Sequence, residues 1–89
     1  MGTLSFTANL RRHVECPPVV VGAGTVRQAL DVAFAANPLL RSYVLDEQGR
    51  LRKHVNIYVN DRLIADRTAQ GDRIGDSDNV FVFQALSGG

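Results

Sequence analysis

The group best placed to do chemistry in this 89-residue chain is the carboxylate of Gly89, carried on Gly88-Gly89 shortly after the strand-like run Val80-Phe81-Val82-Phe83. Two glycines have no side chains, so such an arm can thread a channel too narrow for any other residue. Gly89 is the candidate reactive residue and Gly88 the one that gives it access. Terminal glycines are also common as plain flexible ends, and the pair alone does not choose between these readings. A free carboxylate is ionised at neutral pH and a poor electrophile.

Side-chain chemistry is sparse by comparison. Cys16 sits in a Glu-Cys-Pro-Pro context with no nearby base, the setting of a packing thiol rather than a nucleophile. His13 and His54 fall in separate basic turns, and one cysteine with two distant histidines has no zinc-ligand spacing. Asp72, Asp76 and Asp78 lack the spacing and the closing glutamate of a calcium loop, so they read as solvated turn residues. Gly22-Ala23-Gly24 precedes a helix, but the Lys-Ser/Thr of a phosphate loop is missing, which leaves a turn. Arg50, Arg52, Lys53 and His54, with Arg11, Arg12 and His13, form a basic cluster. Few aromatics stand near it, so it is a poor nucleic-acid platform; a solvated face and a docking patch for an acidic partner both remain open. No metal site, no bound cofactor and no catalytic constellation is expected, and the chain reads as a non-enzyme.

Composition agrees. A hydrophobic fraction of 45% suits one small folded domain, and a net charge of +1 with a pI near 8.0 exerts no strong pull on nucleic acid or membrane. A single cysteine fits a reducing cytoplasm. No apolar run reaches the length of a membrane span. Met1-Gly2-Thr3-Leu4 lacks a signal-peptide pattern, and Phe6 stands where a myristoylation signal needs Ser or Thr.

The elements that would position the tail follow from periodicity. Residues 3–10 alternate, with Leu4, Phe6 and Ala8 on one side, which predicts a strand. Val14 to Val21 reads as a second strand, at a sheet edge because Pro17-Pro18 lack ladder donors. Thr25 with Gln28 predicts a capped helix start, and Val26, Leu30, Ala33 and Phe34 form its apolar face until Asn37-Pro38 ends it. Residues 39–45 read as a loop or short strand. Val55, Ile57 and Val59 alternate with Asn56, Tyr58 and Asn60 in a strand that turns at Asn60-Asp61. Leu63-Ile64 reads as a very short strand, residues 65–79 as loop, and Val80 to Leu86 as the last strand. The order predicts an α+β domain, a mixed sheet with one main helix on one face. The valines of the last strand then face the helix, and Phe81 and Phe83 lie opposite, joined by Tyr58. Such aromatics are either a second core cluster beneath a loop or an exposed partner surface.

These pieces resemble the MoaD/ThiS family of ubiquitin-like β-grasp sulfur carriers, over essentially the whole chain. The resemblance rests on Val55-Asn56-Ile57-Tyr58-Val59-Asn60-Asp61, on Ile74-Gly75-Asp76-Ser77-Asp78-Asn79-Val80, and on Ala85-Leu86-Ser87-Gly88-Gly89. The Val55–Asp61 stretch together with the preceding Gly49-Arg50-Leu51 looks most like the carriers that serve cysteine biosynthesis, and Leu10-Arg11-Arg12-His13 points the same way. Three departures stand out: Ser77 replaces a glycine, Ala65 to Arg73 departs from a Gly-rich connection, and Gln84 stands where many members have proline.

The resemblance implies a β-grasp body over residues 1–86 and a flexible Gly-Gly tail over 87–89. It implies that an E1-like adenylating enzyme, using ATP and magnesium, activates Gly89. Sulfur from a donor then yields a thiocarboxylate for an acceptor biosynthetic enzyme. Tyr58, Phe81, Phe83 and Leu86 become the candidate partner-binding residues. A modifier conjugated to other proteins through Gly89, and a non-covalent binding module, are the alternatives.

Overall fold

The computed structural model describes residues 2–6 and 17–84. Five strands form one sheet in the order β2-β1-β7-β4-β5: β1 is Gly2–Phe6, β2 Val19–Val21, β4 Val55–Val59, β5 Arg62–Leu63 and β7 Val80–Gln84. The pairing is mixed, since β1 runs parallel to β7 while β2, β4 and β5 pair antiparallel with their neighbours. Two further strands, β3 (Gly24–Thr25) and β6 (Arg73–Ile74), pair as a small second sheet. Helix α1 (Val26–Ala36) supplies Val26, Ala29, Leu30, Ala33 and Phe34 to the core, and the short helix α2 (Leu39–Val44) supplies Leu40 and Val44.

Each element has a local cause. The Thr25 hydroxyl accepts from the Gln28 amide at 3.2 Å while the Gln28 side chain accepts from the Thr25 amide at 3.0 Å, a complete capping box. The 65–73 loop satisfies two more amides at the start of α1, through Val26 N–H to the Asp72 carbonyl and Arg27 N–H to the Gln70 carbonyl, both 2.9 Å. Along β1, β4 and β7 every second side chain is buried: Leu4 and Phe6, Val55, Ile57 and Val59, Val80 and Val82. These meet α1 and α2 in a single core. Gly2 is buried against β7's approach, and a Cβ there would run into the Asp78 carbonyl.

The expected capped helix, the edge position of β2 and the mixed sheet are all present. Four expectations change. Residues 39–44 form a helix rather than a loop or strand: the Leu40 and Arg41 amides bond the Asn37 and Pro38 carbonyls, and Leu40 and Val44, four apart, drop into the core together. The Gly22-Ala23-Gly24 turn gives way at Gly24 to β3, whose partner β6 lies inside the stretch read as loop. The short strand is Arg62–Leu63, one residue earlier than expected, with Ile64 turned into the core. Residues 17–18 precede β2 instead of belonging to it. The predicted strand residues 7–10 and 14–16, Cys16, His13, the end of the last strand at Ala85-Leu86 and the tail itself lie outside the described residues.

Candidate functional site

Strands β4 and β7 build the site because they are adjacent and antiparallel, with Tyr58 opposite Phe81 and Asn56 opposite Phe83. Their inward residues are fully buried, Val80 and Val82 at 0% exposure, whereas Phe83 on the outer face is 44% exposed. Phe81, Tyr58 and Asn56 are half-buried there. The Tyr58 and Phe83 rings meet edge to face, with centroids 5.3 Å apart and planes at 81°, a favoured geometry for rings on neighbouring strands. Around them lies a shallow depression of about 600 Å³ walled by Tyr58, Phe81, Phe83, Asn56, Asn60 and Gln84. Three of the candidate partner-binding residues, Tyr58, Phe81 and Phe83, are thus side by side on the face opposite α1. Leu86, Gly88 and Gly89 lie outside the described residues.

Register relates this face to the end of the described part of β7. Gln84, the last described residue of β7, sits opposite Val55, the first of β4. The last described residue of β7 therefore lies beside the start of β4, which Arg52-Lys53-His54 immediately precede, at the end of the aromatic face that carries Phe83.

The opposite end of the same strands is held by the motif residues. Asn60 occupies the left-handed region at φ 58° and turns the chain from β4 into β5, a conformation asparagine tolerates better than most residues. Its amide donates to the Asn79 carbonyl at 2.7 Å, its side-chain Nδ2 donates to Asp78 at 3.1 Å, and its side-chain oxygen accepts from the Asn79 amide. Asn79 in turn accepts from the Thr3 amide on β1. Asp78 also accepts from the Gly75 amide at 2.7 Å. That bond, then the Asn60 side-chain amide, hold the Asp78 carboxyl below its ordinary range against an opposing effect of desolvation, with the Arg62 charge as the least of the causes. Asp76 accepts from the Ala23 amide. These aspartates are turn staples, more engaged than the solvated residues expected. Ser77 is exposed and is not among the positive-φ residues, so glycine is not required at its position.

Sequence reasoning missed two residues of this region, Gln70 and Arg67. Gln70 is fully buried and left-handed at φ 54°. It accepts from the Arg27 guanidinium and donates to the Gly49 and Arg67 carbonyls. Arg67 donates to the Asn56 side chain at 3.0 Å and to the Arg52 carbonyl at 2.7 Å, which joins the 65–73 loop to the outer face of β4. No local pattern marks either residue. Among the described residues no group of three or more His, Cys, Asp or Glu side chains could hold a metal ion, and no helix is long and apolar enough to cross a membrane.

Residues 6–89 match the model of the ThiS family. The chain belongs to the ThiS family. This ThiS-family chain is 34% identical over 70 residues to small archaeal modifier protein 1 of Haloferax volcanii, covering 79% of this chain and 76% of that protein. The crystal structure of that modifier matches with a TM-score of 0.79 at 30% identity, over 98% of this chain and 97% of the other. The crystal structure of the Amycolatopsis orientalis BexX/CysO complex contains a chain that matches with a TM-score of 0.81 over the full length of both, at 22% identity, a likeness of fold. The mixed sheet packed on α1 is accordingly a ubiquitin-like β-grasp, with α2 as a second, shorter helix.

Proposed function

We propose that this ThiS-family protein is a sulfur carrier that works through Gly89. An E1-like adenylating enzyme, with ATP and magnesium of its own, joins the Gly89 carboxylate to AMP and releases pyrophosphate. The carboxyl carbon then has a good leaving group. Sulfur from the donor attacks it, AMP departs, and the product is a thiocarboxylate. An acceptor biosynthetic enzyme, for cysteine, molybdopterin or another sulfur-containing metabolite, takes the sulfur. The carrier supplies no base, metal or cofactor and acts in the cytoplasm; its partners supply the catalysis.

The observation that carries this reading is the family match, which runs through residue 89 and so includes Gly88-Gly89. The outer face supports it. Tyr58, Phe81 and Phe83 stand beside the strand that leads to the tail, where a partner guiding Gly89 into its active site would hold the body. Leu86 would extend that contact along the tail. Fully stretched, Ala85 to Gly89 would reach roughly 17 Å beyond the sheet.

A second reading, a protein modifier joined to lysines through Gly89, is favoured by the similarity to small archaeal modifier protein 1. Both readings begin with adenylation. The test is ATP–pyrophosphate exchange by the adenylating enzyme in the presence of this protein. Exchange should depend on the chain and vanish when Gly89 is deleted, with an unchanged melting temperature. Exchange that survives the deletion contradicts both readings. Gly89-dependent covalent adducts on many proteins, without a thiocarboxylate, would decide for the modifier.

A further inference from the structure

A further depression among the described residues, about 530 Å³, lies beside the aromatic face and is walled by the segment before β4 and by the 65–73 loop. Beside Leu51 and Thr68 its lining is Arg50, Arg52, Lys53, His54 and Arg67, with Asp46 as the one acid among the described lining residues. Asp46 is already engaged. Its carboxylate accepts from the Arg50 amide, the Gln48 amide and the Arg50 guanidinium, the last at 3.2 Å. These contacts, the Arg50 amide foremost, hold it below the ordinary carboxyl range. Arg50 is therefore neutralised locally.

The other cations are not. Arg52 is oriented by the Ser42 carbonyl at 2.7 Å, and Arg67 by the Asn56 side chain and the Arg52 carbonyl. All of these acceptors are neutral, so they fix the guanidinium planes without cancelling their charge. Lys53 is exposed and forms no ion pair among the described residues. Two fixed positive charges, Arg52 and Arg67, and the exposed charge of Lys53 on one groove of a chain with net charge +1 are a segregation that the fold itself does not require.

The groove is also continuous with the aromatic face. Asn56 walls the aromatic depression and binds Arg67 in the basic one. Lys53 and His54 immediately precede Val55, the residue opposite Gln84, which is the last described residue of β7. We propose that this groove takes an acidic segment, aspartate and glutamate side chains, of the same partner enzyme that receives the tail. The inference rests on reading Gly89 as an arm that enters a partner, and it names the charge that the partner presents beside the entrance. The groove is open to solvent, so an extended segment can lie in it. A protein segment lying across the groove and onto the rings can meet all of the cations, each rim charge steering encounter and orientation.

The test is an amide-resolved titration of the full chain with acetylated hexaglutamate, with hexaglutamine and with inorganic pyrophosphate. Hexaglutamate should move the amides of Arg50 to Asn56, Arg67 and Thr68, and hexaglutamine should leave them in place. Raising salt from about 20 mM to about 200 mM should weaken the binding, because the screening length falls several-fold. Lys53→Gln should weaken it about fivefold, the worth of one charge pair at about 4 Å in water, and Lys53→Glu by more. Equal shifts with hexaglutamine overturn the proposal. Stronger binding of pyrophosphate at the same amides also overturns it, in favour of a phosphate site. The titration uses no loading reaction. A chain that is adenylated normally but ignores hexaglutamate refutes only this groove, and a chain that binds hexaglutamate but is never adenylated refutes only the carrier.

Discussion

The two faces of the β4–β7 pair have similar apolar content and opposite exposure. On one face Val55, Ile57, Val59, Val80 and Val82 are sealed against the helices; on the other Tyr58, Phe81 and Phe83 meet solvent. A sheet with one solvated face ordinarily alternates apolar with polar residues. Here the outward positions near the end of β7 are aromatic. The inward residues are β-branched and of moderate size, suited to filling a core against α1. The outward ones are rings, which supply large contact area at little entropic cost. One face seals the core and the other is the proposed docking face, and substitutions should separate the two.

The largest effect on folding should come from the sealed face. Ile57→Ala removes a fully buried side chain from the centre of the sheet and should cost about 2–5 kcal/mol in denaturant unfolding, with affinity per folded molecule unchanged. On the outer face Phe83→Ala should do the reverse. Stability should move by about 0.5 kcal/mol or less, while affinity for the adenylating enzyme falls by about 2 kcal/mol, roughly thirtyfold. Parallel melting and affinity measurements decide the case, and strong destabilisation with normal affinity would assign Phe83 to the core. Gln70→Ala sharpens the comparison from the side. It strips the partner from the Gly49 and Arg67 carbonyls and should cost about 1–3 kcal/mol in thermal unfolding, without altering the aromatic face.

The smallest effect is one of pH. Asp46, Asp66 and Asp78 all have carboxyls held below their ordinary value, chiefly by backbone amides of Arg50, Ala69 and Gly75 respectively. Their folded pKa values lie below the unfolded ones. Their stabilisation is thus complete above the unfolded carboxyl range and is lost as pH falls through the depressed values. A melting temperature flat from neutrality to about pH 5 and declining below about pH 4 is expected; a decline beginning at neutrality would point to other groups.

Much of this was legible in the chain. Thr25 and Gln28 announce the α1 cap, and the alternation through Val55–Asn60 and Val80–Phe83 assigns each side chain its face. What stayed hidden depends on partners distant in sequence. Helix α2 is six residues long, less than two turns, too short for periodicity to distinguish it from a strand. Strand β6 exists because Ile74 meets Gly24, some fifty residues away, and its own surroundings are polar. Gln70 reads as a surface residue in an aspartate-rich loop, yet it is fully buried and hydrogen-bonded to Arg27 and Gly49, both distant in sequence, and to the nearby Arg67 carbonyl. Arg67 has no sequence signal at all, since its role comes from Asn56 and the Arg52 carbonyl across the loop.

The most direct test of the carrier is the intact mass of the protein after incubation with ATP, a sulfide donor and the adenylating enzyme. The account predicts a species in which one oxygen is replaced by sulfur, reactive toward thiol-alkylating reagents at the terminus, and present in the Cys16→Ser protein as well. A mass that stays at the starting value in the presence of an enzyme that does form the adenylate would contradict it.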